Sequence, residues 1–139
     1  MIHQPDQIEW IEFRDQPILS IEFDHASEEK SLLLMREFVD EISRQADGSV
    51  LFMAGLAHAG FQPNLVLKWQ NLQNLIHSKC ARVAVVGAHG VIAIAAQTFI
   101  NIARSAGLEI GHKVRFFENP ELAKQWLVDG EAYAQAAWR

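Results

Sequence analysis

Three histidines follow apolar runs in this chain: His25 after Asp24, His58 within Leu56 to Asn64, and His89 within Gly87-Ala88-His89-Gly90. If those runs are neighbouring parallel strands, about 4.8 Å apart, the imidazoles lie along one edge of a sheet. Three imidazoles suit zinc or another borderline metal, which makes His25, His58 and His89 the candidate metal ligands. Their spacing matches no metal-binding motif, and polar residues are common at strand ends, so ordinary loop histidines are the simpler reading. The Gly87 to Gly90 segment can present backbone N–H groups to a phosphate. Without a full glycine-rich fingerprint, a Walker lysine or an acidic ribose ligand, it reads better as a tight strand-to-helix turn.

Acid–base chemistry is hard to assemble from the rest. Ser49 to Phe117 holds a single carboxylate, Glu109, in a loop at the opposite edge, and only Asp24 is expected beside the histidines. The lone cysteine, Cys80, precedes an apolar run and falls at the edge away from His58 and His89, so it reads as an inert buried thiol. With one cysteine no internal disulfide can form. No cofactor is expected, and an undetected metal-dependent enzyme ranks behind non-enzymatic readings.

These residues need a scaffold, and the pattern supplies one. Ile8 to Phe13 and Ile18 to Phe23 are β-like, and Arg14-Asp15-Gln16-Pro17 between them carries turn chemistry, which predicts a hairpin. Ser27 followed by Glu28 and Glu29 opens a helix that runs to about Gln45, with Leu32, Met35, Val39 and Ile42 at helical spacing. Val50-Leu51-Phe52-Met53 and Val83-Ala84-Val85-Val86 are unbroken apolar runs, as expected of parallel strands covered on both faces. Between them Pro63 starts a second helix with Leu65, Trp69, Leu72 and Ile76 on one stripe. A third helix follows from Gly90 to Ala106, then an alternating strand Lys113 to Phe117, then a helix capped by Asn119-Pro120-Glu121 and ended by Asp129-Gly130. The order is ββαβαβαβα, which implies a mostly parallel α/β sheet of about five strands with four helices.

Size and charge bound the function. At 139 residues, half of them hydrophobic, the chain is expected to fold as one domain over 1–139, with its core at about 18–127 and a tail from 129 onward. The net charge of −5 is uneven: Met1 to Asp47 holds twelve carboxylates against four Lys and Arg. The six basic residues of Ser49 to Phe117 are scattered without interleaved aromatics, which argues against nucleic-acid binding. No basic start precedes an apolar stretch near Met1, and no apolar run approaches about 18 residues. The expectation is a cytoplasmic protein without a transmembrane segment.

The order of elements, the central VAVVG and the closing VRFFENPELAKQWL resemble the SpoIIAA-like (STAS) family over about Ile18 to Leu127. The resemblance implies a βα superhelix and a non-enzymatic protein-binding or regulatory role. Members of that family include anti-sigma-factor antagonists, switched by phosphorylating a Ser where the third strand meets the next helix. The matching stretch here, LAHAGFQPN, has neither Ser nor Thr, so the phosphoswitch is absent.

A contact surface is the remaining lead. The third helix, GVIAIAAQTFINIARSA, confines its polar residues to a narrow strip that includes Gln97 and Asn101. The second helix is rich in uncharged amides where a solvated helix more often carries Glu and Lys. Candidate partner- or ligand-binding residues are His58, Phe61, Asn64, Lys68, Trp69 and His89, with Gln97 and Asn101. The expected arrangement is a homodimer or a complex with another protein. The alternative is a carrier or sensor of a small apolar ligand between the second and third helices, with His58 and His89 at its mouth. Peripheral contact with a membrane is a further way to use such a surface.

Overall fold

A computed structural model of the chain describes residues 8–60, 62–107 and 113–130, apart from the side chains of residues 66, 91, 92, 95, 96, 99, 100 and 103. Strands β1 (Ile8–Phe13), β2 (Gln16–Glu22), β3 (Val50–Gly55), β4 (Cys80–Val86) and β5 (Val114–Phe117) form one sheet in the order β1-β2-β3-β4-β5. Only the β1–β2 pair is antiparallel. The helices are α1 (Glu28–Ser43), α2 (Pro63–Asn71), α3 (Gln73–Lys79), α4 (Gly90–Ser105) and α5 (Pro120–Asp129). The α/β class and the mostly parallel sheet are therefore as the sequence implied.

The hairpin turn is tighter than expected. Arg14 and Asp15, at φ 52° and 63°, make a two-residue loop, and Gln16 and Pro17 already belong to β2. Positive φ at both central residues matches the right-handed twist of the flanking strands. Arg14 is held by an ion pair to Asp129 at 2.9 Å. The helix caps follow the sequence: the Ser27 hydroxyl accepts from the Lys30 N–H at 3.1 Å, and Asn119 Oδ1 accepts from the Glu121 N–H at 2.8 Å. The single helix expected from Pro63 to Ile76 is instead two segments meeting at Leu72, whose φ of −96° and ψ of 2° leave the α region. Asn71 and Asn74 flank that residue, and asparagine competes with the helical backbone for hydrogen bonds.

Two apolar layers enclose the sheet. On one face Leu19, Ile21, Val50, Phe52, Ala54, Val83 and Val85 pack against Leu34, Met35, Phe38 and Ile42 of α1 and Ile76 of α3. On the other, Ile18, Leu51, Met53, Ala84 and Val86 meet Ala123, Trp126 and Leu127 of α5. All six residues of β3 are buried, so its side chains alternate between two cores. The right-handed rule for parallel crossovers assigns α4, which joins β4 to β5, to the α1 side.

The sheet's carboxyl edge depends on close backbone approach. Gly87, at φ 77°, ends β4, and a β-carbon there would sit 2.8 Å from Cα and Cβ of Ala57. Gly87→Ala combines left-handed strain with a clash against backbone, so we expect a loss of about 2–4 kcal/mol in urea denaturation. A loss below about 0.5 kcal/mol would show that the two loops are not pressed together.

Candidate functional site

The loops after β2, β3 and β4 meet at that edge. The Phe23 N–H donates to the Gly55 carbonyl at 2.9 Å, Leu56 N–H to Val86 O at 2.8 Å, and Gly87 N–H to Phe117 O at 2.8 Å. The ladder thus continues one step past the strands. Beyond it, His25 N–H donates to His58 O at 3.2 Å, and His58 N–H donates to Asp24 Oδ1 at 2.7 Å. His25, at φ 58°, turns the chain so that its ring lies parallel to that of His58, with centroids 5.2 Å apart and planes 9° from parallel.

His89 does not join this pair. Its Nδ1 lies 3.1 Å from the Gly87 carbonyl oxygen, within its own turn. Among the described residues no group of three or more His, Cys, Asp and Glu side chains is placed to hold a metal ion. The strand-end histidines therefore form a stacked pair and a separate third ring, and the geometry gives the metal reading no support.

A residue that sequence reasoning passed over supplies the chemistry. Glu22, the last residue of β2, pairs in register with Gly55, and its carboxylate lies directly over the glycine, where a β-carbon would overlap it. Burial against that backbone pushes the Glu22 carboxyl above the usual carboxylate range. The charge of Asp24, a hydrogen bond between the two side chains and the charge of Glu9 push the same way. The expectation of Asp24 as a lone carboxylate is thus corrected: Glu22 lies beside it, and a hydrogen bond joins the two side chains. The sequence shows only two carboxylates two residues apart, Glu22 ending β2 and Asp24 in the turn after it; the placement of Glu22 over Gly55 depends on strand register. Such a pair can release or take up a proton beside two exposed imidazoles.

The other candidates are placed as follows. Asn64 donates from its backbone N–H to Glu28 Oε2 at 3.1 Å and from Nδ2 to Glu28 Oε1 at 2.7 Å. Gln62, buried, donates from Nε2 to the Ala26 carbonyl at 2.8 Å. A carboxylate of the chain itself therefore occupies the first turn of α2, where an anion would bind. Trp69 is half-buried, its ring 5.9 Å from that of Phe52, so it serves the core. Lys68 is exposed. Gln97 Nε2 donates to Asn101 Oδ1 at 3.2 Å along α4. Phe61 lies outside the described residues, as do several of the α2 and α4 side chains that would line the expected apolar cavity. Cys80 is buried at the start of β4, and burial pushes its thiol up to about 12, which keeps it protonated and unreactive.

No protein-family model, curated protein or solved structure matches the chain. No described helix is long and apolar enough to cross a membrane.

Glu22 binds its proton more tightly folded than unfolded. Its stabilising contribution is present below the usual value of 4.5 and is lost as pH rises through the raised folded value. Glu22→Gln cannot ionise, so we expect it to be more stable than wild type at pH 7 and equal to it near pH 4. The gain stays below about 1 kcal/mol because the side chain is partly solvated. Urea denaturation at the two pH values reads this directly, and a difference independent of pH would contradict the raised Glu22 carboxyl.

Proposed function

We propose that the chain is a non-enzymatic, STAS-like protein-binding module that self-associates through the exposed face of α4. The observation that carries this reading is the composition of that face. Ile94 is 70% exposed and Ile102 63% exposed, with Gln97, Thr98, Asn101 and Ser105 around them. Arg104 is the only charged residue between Gly90 and Ser105. At 100° per residue, Ile94, Thr98, Asn101 and Ser105 fall on one line, with Gln97 and Ile102 at its flanks. Solvated helices rarely present large aliphatic side chains without nearby charge, whereas contact faces do.

The edge from Leu56 to Asn64 contributes a fixed surface. Where the resembled family places a phosphoacceptor, this chain has Asn64 bound to Glu28, a permanent negative charge in place of a switched one. Regulation by a phosphoryl group at that point is therefore not part of the proposal. Exposed Leu67 on α2, 56% accessible, lies among Lys68, Gln70 and Asn71 and offers a second, weaker contact.

A two-fold pairing of α4 helices predicts a specific response to charge. Ile94→Asp and Ile102→Asp, singly, are expected to shift the protein from dimer to the 15.7 kDa monomer in size exclusion with light scattering. Both sites are exposed in the monomer, so its thermal stability changes by less than about 0.5 kcal/mol. A wild-type chain that remains monomeric at high protein concentration overturns the proposal.

A further inference from the structure

A second surface lies at the β1 edge of the sheet, away from α4. Ile8, Trp10 and Leu19 form the apolar floor of a groove of about 310 Å³ between β1 and the last turns of α1. Its α1 wall carries Glu37, Asp40 and Glu41 against one cation among the lining residues, Arg44, while the register turns the Glu9 side chain to the other face of β1. Glu41 is already engaged: its Oε1 accepts from Trp10 Nε1 at 2.7 Å, and its other oxygen pairs with Arg44. The Glu41 bond ties the indole, which is 39% exposed, to α1. Glu37 and Asp40 are exposed and have no hydrogen-bond or ion-pair partner among the described residues. The groove therefore combines a part-exposed indole with two carboxylates that no described residue engages.

That combination selects a cation, and a guanidinium above all. Arginine stacks on tryptophan through cation–π attraction and takes carboxylates with its remaining donors. The position of the groove adds a second requirement. β1 is the edge strand of the sheet, paired with β2 alone among the described residues, so its outer backbone groups are open to another strand. A second copy of β1 would bring Glu9 and Glu12 against their own equivalents, which like-charge repulsion disfavours. A basic strand meets the same residues with complementary charge.

The geometry points to the β1–α1 groove as the docking site for an extended, arginine-bearing segment of a partner protein, which adds to the β1 edge and lays a guanidinium over Trp10 between Glu37 and Asp40. This mode uses main-chain pairing for affinity and the side-chain pocket for specificity. It is independent of the α4 face, so either surface can fail without the other.

The probes are acetyl-Arg-Val-Arg-Val-Arg-amide, its Glu-for-Arg counterpart, a form N-methylated at alternate residues, and acetyl-arginine amide. Isothermal titration calorimetry measures affinity, and the indole N–H resonance of Trp10 reports position. We expect the arginine peptide to bind and shift that resonance, and the glutamate peptide to do neither. Affinity should fall at least about tenfold in Glu37→Gln/Asp40→Asn, the worth of one charge-assisted contact. It should fall likewise for the N-methylated peptide, which cannot complete the ladder. Trp10→Phe, which keeps a ring without the Glu41 bond, should bind more weakly than wild type. Absence of binding, unchanged affinity in Glu37→Gln/Asp40→Asn, or equal binding of acetyl-arginine amide overturns the proposal. So does association of the chain with itself that Glu9→Lys abolishes.

Discussion

The fold depends on the two-sided burial of β3. Phe52 has no exposed surface, and its ring stacks on Phe38 of α1 at 4.3 Å and on Trp69 of α2 at 5.9 Å. One side chain thus ties the central strand to the helices before and after it. The next residue, Met53, points the other way into the layer covered by α5. Such alternation is possible only when both faces of the sheet are dry, so α1, α2 and α5 all pack against the same strand. Burial of an aromatic of this size is worth about 2–3 kcal/mol, more than any surface ion pair in the chain supplies.

From that strand the carboxyl edge follows. β3 ends in Gly55, and the absence of a side chain there gives the Glu22 carboxylate a place against the sheet. Partial removal from water disfavours its charge, and the proximity of Asp24 disfavours it further. Asp24 in turn accepts the His58 N–H, so the same carboxylate that perturbs Glu22 also holds the β3–α2 loop. Asp24 therefore links the Glu22 carboxyl to the backbone of His58, whose ring stacks on that of His25.

Much of this was legible from residue types. Continuous apolar runs marked β3 and β4 as doubly covered, because only such strands have no polar face to present. Ser27 and Asn119 marked helix starts because short oxygen-bearing side chains are what an N-terminus needs. The Glu22–Asp24 pair was not legible. It depends on the register Glu22 opposite Gly55, and register is a property of two strands. The stack of His25 on His58 was half legible: sequence placed both rings at one edge, but their alignment needs the left-handed backbone at His25. The break at Leu72 was hidden because its apolar stripe continues in helical spacing through both segments.

Charge segregation along the chain becomes segregation in space. The acidic first third builds β1, β2 and α1, and Glu37, Asp40 and Glu41 of α1 lie beside Trp10. The middle, with a single carboxylate between Ser49 and Phe117, builds the buried strands β3 and β4 and the helix α4, whose described side chains are largely exposed. The sheet order β1-β2-β3-β4-β5 runs in the direction of the sequence, so a gradient along the chain is a gradient across the molecule. The β1 edge of the sheet is therefore its acidic side, while α4, which leads to β5 at the other edge, carries no carboxylate.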